Sequence, residues 1–417
     1  MGQSSPVPIP PGPTERAMEG LLSTLRGKAI RPSDEAYDAA RWVYNAMIDR
    51  HPRLIVQCAD VADVVRCVNF ARDEGLPPAV RCGSHSVPGF GTCDGGLTLG
   101  GGFGHLSRRY GLSCDNLISA DVVTADGRML TASASENQDL FWAIRGGGGN
   151  FGVVTSFEFR LHPVGTVYAG PVLYPLEKAA EALRFFAAFM AGAPRELSAF
   201  FAFLIVPPAP PFPEHLHMKT MCGMVYVYSG DLEKGEQLTR PLREFGPPAF
   251  ALGHPAPYPA VQSMFDGLLP HGLYHYWKAD FVDNLTEQAI AGHVRYGPRI
   301  PTVHSAVHIY PLDGAVHDVA ADQTAFAYRD VKFTHILAAV SPDPAPMPRY
   351  REWVRSYWSA LHPYSAGGAY VNFLMDEGDD RIASSYRGNY VRLAAVKRKY
   401  DPGNLFRVNQ NIRPAAM

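Results

Sequence analysis

Four consecutive glycines at 146–149, followed by Asn150, Phe151 and Gly152, constrain this chain more than any other feature. With no Cβ, the backbone there can approach another body that larger residues would hold away. A second cluster, Gly100-Gly101-Gly102-Phe103-Gly104, lies upstream. Between the clusters, Asp126-Gly127 separates Val122-Val123-Thr124 from Met129-Leu130-Thr131, the signature of a tight hairpin. Residues Gln138 to Arg145 read as a helix, and the four glycines lead from it into a strand from Val153 to Arg160.

Before the first cluster, Pro52-Arg53-Leu54-Ile55-Val56 reads as a short buried strand, and Val61, Val64, Val65, Val68 and Ala71 recur at helical spacing behind it. Pro78-Ala79-Val80-Arg81 reads as a second strand, closing a β-α-β unit. Such a unit delivers its next turn, Arg81-Cys82-Gly83-Ser84-His85-Ser86, to the carboxyl end of a strand, where backbone N–H groups can meet a phosphate.

A length of 417 residues exceeds what one core usually organises, so two domains are expected, with the boundary near Pro163 where the glycine clusters stop. Beyond it, Leu176 to Met190 reads as a helix started by Pro175, and Ser198 to Val206, Met218 to Tyr228 and Val331 to Val340 read as strands. Arg349 to Leu361 reads as a further helix. The expectation is an α+β chain with an antiparallel sheet under covering helices. Tyr274, Tyr276, His304, His308 and Tyr310 fall on strand-like stretches. Alternation puts His304, His308 and Tyr310 on one face, either lining a pocket or serving ordinary sheet packing.

A formal charge of −2 without runs of Lys or Arg excludes a nucleic-acid or membrane-surface binder and leaves a neutral small molecule as the expected partner. The six cysteines form no C-x-x-C pair, so neither a zinc site nor a disulfide framework is expected, and a reducing compartment fits best. The start of the chain has no basic and apolar leader, and no apolar run is long enough to span a bilayer, so a soluble cytoplasmic protein is expected.

Four segments together resemble the berberine-bridge-type branch of the vanillyl-alcohol-oxidase-like flavoproteins. They are Leu54-Ile55-Val56 through Ser86; Leu97-Thr98-Leu99-Gly100-Gly101-Gly102-Phe103-Gly104 through Asn116; Asp139 through Val154; and Tyr370-Val371-Asn372-Phe373 with Tyr400 to Phe406 and Asn409-Gln410-Asn411-Ile412. The resemblance implies a PCMH-type FAD-binding domain over 1–163, a substrate domain over 164–365 and a C-terminal segment, 366–417, returning to the first domain. It implies FAD held by Arg81, Cys82, Gly83, Ser84, His85, Ser86, Gly100, Gly101, Gly102, Gly104, Asn116, Gly149, Asn150, Gly152, Val153, Asn409 and Gln410. His85 stands at the place of the histidine that bonds covalently to the flavin. Tyr370 is implied as the base, with Asn372 beside it. The implied reaction takes a hydride from an alcohol, sugar or secondary metabolite to flavin N5, with O2 as electron acceptor.

Two departures bear on that expectation. The family carries several dozen more residues between the His-bearing turn and the Leu-Thr-Leu-Gly-Gly-Gly passage, so Gly95-Gly96 reads as the join of a deletion, and the cysteine that forms a second flavin link in some members is missing with them. Cys82 and Ser84 replace turn glycines. FAD binding is therefore expected to be weakened, and the alternative reading is a non-catalytic remnant that has lost it. A nicotinamide dehydrogenase fits less well, because no G-x-G-x-x-G follows the first strand.

Overall fold

The computed structural model describes residues 13–81 and 95–416, and the described residues form three sheets, all antiparallel. The largest has eight strands. Along it run His254–Pro257, Thr166–Tyr174, Thr220–Tyr228, Leu197–Ile205, Ala306–Pro311, Phe333–Ser341 and Tyr274–Val282, with Phe250–Ala251 paired beside Thr166–Tyr174. Side chains alternate across it. Phe201, Phe203, Val307, Ile309, Leu337 and Ala339 face the helices Ala179–Gly192, Glu287–Tyr296 and Met347–Leu361. Each large apolar side chain buried there contributes about 1.5–3 kcal/mol. The opposite face carries Phe200, Ala202, His308, Ile336 and Ala338 and, among the described residues, meets only the short helices Tyr258–Gln262 and Asp266–Leu268 across a cavity.

The strands expected from Ser198, Met218 and Val331 run from Leu197, Thr220 and Phe333, and the helix expected from Leu176 begins as a 3-10 turn, Leu176–Lys178, before Ala179–Gly192. Met218 stays out of its strand because its φ is +59°, a left-handed conformation that cannot enter a ladder. The α+β class holds.

The three-stranded sheet has the order Met129–Ser133, Leu117–Val123, Val153–Phe159, and Asp126-Gly127 turns its hairpin as expected. The helix Gln138–Ile144 buries Leu140 through Ile144 against Leu393, Ala394, Val396 and Tyr400 of the helix Asn389–Tyr400. The C-terminal segment thus completes the core of the first part of the chain.

The upstream unit differs from its expectation. Ile55–Gln57 pairs antiparallel with Lys28–Ile30 and is only half-buried. The helix Val61–Asp73 forms, but Pro78 to Arg81 is not a strand, so no β-α-β unit exists among the described residues. Pro77 and Pro78 lack the N–H groups a ladder needs.

Three fully buried histidines, His275, His293 and His335, tie stability to pH. Burial holds His293 well below its ordinary value and pushes His275 and His335 down to about 4; Asp280 opposes the shift at His335. Unfolding returns the latter two to an ordinary value of about 6.5, so the unfolded chain binds more protons between those limits. Their stabilisation is complete above pH 6.5 and is lost as pH falls through 4, on the order of 3 kcal/mol per histidine. Thermal melts at pH 7 and 5 should show a marked fall, and His275→Gln should flatten it; a flat pH profile in the parent chain contradicts the assignment.

Candidate active site

A cavity of about 470 Å³ opens between the glycine loops, the C-terminal segment and the eight-stranded sheet. Tyr370 lies in its wall, 2% exposed, with its ring against Phe103 and Phe373. Its Oη accepts the Gly102 N–H at 2.9 Å and the Asn372 Nδ2–H at 2.7 Å. Asn372 is itself held by donating to the Leu97 carbonyl at 3.1 Å. Burial pushes the phenol above its ordinary range, while the bonds from Gly102 and Asn372 pull it back by favouring the phenolate.

The glycines explain how this pair is accommodated. A Cβ on Gly100 would stand 2.2 Å from Asn372 Oδ1, and one on Gly102, at φ +80°, would stand 2.6 Å from Ser113. Gly101 packs on Phe326 and Tyr370 in the same way. Gly100 and Gly101 thus make room for the Tyr370–Asn372 pair and Gly102 for Ser113; of the glycines in the first cluster only Gly104 lines the cavity, beside Phe103.

The second cluster does line the cavity, through Gly148, Gly149, Asn150, Gly152 and Val153. Asn150 is fully buried; its amide donates to the carbonyls of Gly147 and Gln410, and its Oδ1 accepts the Ile412 N–H at 2.9 Å. Asn409 donates to the carbonyl of Gly149 and Gln410 to those of Leu374 and Met375. Beneath them Lys397, 0% exposed, donates to Asp401 at 2.7 Å and to the carbonyls of Asn150 and Phe406, and Asp401 accepts the N–H groups of Leu405 and Phe406.

Beside Gly148 and Gly149, two buried polar atoms of this wall have no partner among the described residues: Tyr386 Oη and Asn409 Oδ1. Buried polar atoms rarely remain unsatisfied. A flat ring system with polar edges would meet both, and the bare backbone at Gly148 and Gly149 leaves space for it. These residues fit a flavin.

A second cavity of about 660 Å³ covers the inner face of the large sheet and shares Phe200, Trp277, Tyr310 and Phe373 with the first. His304, His308 and Tyr310 all line it, so the structure brings together the three residues that alternation placed on one face. His308 bonds to Tyr310 at 2.6 Å, and burial pushes it down to about 4. Tyr276 turns the other way, into the helical layer, and its neighbour Trp277 faces the cavity.

Two further residues expected at the cofactor stand away from this wall. Asn116 donates to the carbonyls of Tyr110 and Leu112 and bonds to His162, bracing its own turn outside the cavity wall. Arg81 bonds to the carbonyl of Ala40 and does not line the cavity. Cys82, Gly83, Ser84, His85 and Ser86 lie outside the described residues. The sequence reading missed Tyr386, Trp277 and the Lys397–Asp401 pair; only Trp277 had a signal, its place in an alternating strand.

Among known proteins, residues 369–413 match the family described as berberine and berberine like, and residues 92–133 match an FAD binding domain. The chain is 30% identical over 455 aligned positions to an FAD-linked oxidoreductase of Dictyostelium discoideum, covering 94% of this chain and 96% of that one. It is 26% identical to the (R)-6-hydroxynicotine oxidase of Paenarthrobacter nicotinovorans, over 95% of this chain and 99% of the other. Of solved structures, the 6-hydroxy-D-nicotine oxidase of Arthrobacter nicotinovorans superposes with a TM-score of 0.82 at 24% identity (94% and 99% covered). The glucooligosaccharide oxidase of Acremonium strictum gives 0.83 at 21% (96% and 99%). The alignment with the Dictyostelium protein is longer than the 417 residues present, so that relative carries residues with no counterpart here.

Proposed function

Because this chain belongs to the berberine-like FAD-linked oxidoreductases, we propose that it is an oxidase of a small hydroxylated substrate, with Tyr370 as the base and Asn372 as its positioning partner. FAD is the cofactor. When bound, FAD would supply an acceptor for a hydride from the substrate carbon that O2 can reoxidise, the two electrons and two protons taken from the substrate leaving as hydrogen peroxide. The two donors on Tyr370 Oη carry the assignment: with Gly102 and Asn372 occupying two directions, the remaining one is left for a substrate hydroxyl, whose proton Tyr370 takes.

Gly148, Gly149, Asn150, Gly152, Val153, Asn409 and Gln410 would hold the flavin, with Tyr386 at its edge. His85 would form the covalent link, and no second link through a cysteine is proposed. The deletion at Gly95-Gly96, which the longer relative supports, would weaken the non-covalent hold on FAD and leave retention to the His85 link. The division at 163 and 365 is proposed on the same footing: the eight-stranded sheet lies between those positions, and the segment after 366 packs into the core built by residues 117–159. No helix among the described residues is long and apolar enough to cross a membrane, and we place the chain in the cytoplasm, where its thiols stay reduced.

Asn372→Ala tests the positioning role. Tyr370 acts as a phenolate, so the rate rises as pH passes its pKa, and loss of a donor to that phenolate raises the pKa. The rising limb of kcat/KM, followed as peroxide release, should move about one unit to higher pH. A limb that stays in place removes Asn372 from the mechanism.

A further inference from the structure

We propose, resting on the oxidase reading, that the substrate is a neutral, mainly apolar ring compound whose body lies on the inner face of the large sheet and whose hydroxyl oxygen accepts the Trp277 Nε1–H. The wall of the 660 Å³ cavity carries the argument. Among the described residues lining it there is no aspartate, glutamate, asparagine, glutamine, lysine or arginine. Its surface comes from residues such as Phe200, Phe265, Leu268, Ile336, Val340 and Phe373. The volume suits a ligand of a few fused rings.

The few polar groups are mostly committed to the protein. His304 bonds to the carbonyl of Leu268, Ser305 to the backbone of Val340, and His308 to Tyr310. Of the described residues in this wall, Trp277 Nε1 is the polar atom that is both buried and without a partner, and it belongs to the wall shared by both cavities. A buried donor of this kind selects a ligand that supplies one acceptor beside the reacting carbon.

The same wall disfavours the other substrate types. A saccharide would surrender the water on many hydroxyls and find few partners, and each unpaired one weakens binding. A cationic amine would lose its hydration without a carboxylate to replace it, and ring faces return only part of that loss.

The test uses the full chain loaded with FAD and three probes: 2-naphthylmethanol, its amine counterpart 2-naphthylmethylamine, and cellobiose. Binding is measured by calorimetry under anaerobic conditions. Naphthylmethanol should bind at least tenfold more tightly than either other probe. Trp277→Phe, which keeps the ring and removes the donor, should weaken it roughly five- to tenfold. Ala306→Asp, placing a carboxylate in the half-buried wall, should weaken the alcohol more than tenfold and shift preference toward the amine. Cellobiose or the amine binding as tightly as the alcohol overturns the proposal, as does a Trp277→Phe variant with unchanged affinity. Binding and turnover fail separately: a chain that shows this preference but releases no peroxide upholds the cavity assignment and sinks the oxidase reading.

Discussion

Tyr370→Phe lowers kcat by roughly 10²–10⁴-fold while leaving the fold and the bound FAD in place, the range expected when a positioned base is removed. The change deletes one oxygen and keeps the ring that packs on Phe103 and Phe373. The Gly102 N–H and the Asn372 amide lose their acceptor, which costs about 1–3 kcal/mol of stability, much less than global unfolding. Peroxide release measured alongside the melting temperature separates the two effects. A Tyr370→Phe enzyme within threefold of the parent would falsify the assignment of the base.

The second large effect is expected beneath the site. Lys397 and Asp401 are both 0% exposed, and together they satisfy one carbonyl and two N–H groups of the loop that carries Asn409 and Gln410 to the cavity, and the carbonyl of Asn150 in the glycine loop beside it. Burial lowers the Lys397 ammonium from its ordinary value, and Asp401 counteracts that shift. Lys397→Met leaves a carboxylate buried without its cation and should cost about 3–5 kcal/mol. Released from Lys397, the 405–412 loop should also hold FAD less firmly. The double variant Lys397→Met with Asp401→Asn removes both charges and should recover at least half of that loss. Denaturant melts of the three chains measure this; a double variant less stable than Lys397→Met alone contradicts the account of the pair.

The parts of the fold and site that sequence alone disclosed are those in which a short run of residues carries its own physical reason. The Asp126-Gly127 hairpin is one, since its turn chemistry is local. The cavity-lining loop at 148–153 is another, since bare glycine backbone admits a second body, whereas the pair Asn409-Gln410 was legible only through the family resemblance. Pro78 to Arg81 was misread because apolar character does not supply the N–H groups and the partner strand that a ladder requires. Gly100 and Gly101 also admit Asn372 and Tyr370 from more than 250 residues away in the chain, a contact no local pattern encodes. Parity decided the strand Tyr274–Val282: a shift of one residue exchanges Tyr276 for Trp277 at the cavity, and only the observed pairing fixes it. Tyr386 and the Lys397–Asp401 pair had no signal, since their roles come from burial and convergence rather than spacing.

The claim that this chain remains a flavin oxidoreductase despite the join at Gly95-Gly96 is tested most directly by its visible absorbance. The purified protein is incubated with FAD, desalted, and then precipitated with acid. The account predicts a flavin spectrum that survives desalting, with colour in the acid pellet marking the link at His85. A chain still colourless after incubation and desalting contradicts it and leaves a remnant that has lost its cofactor.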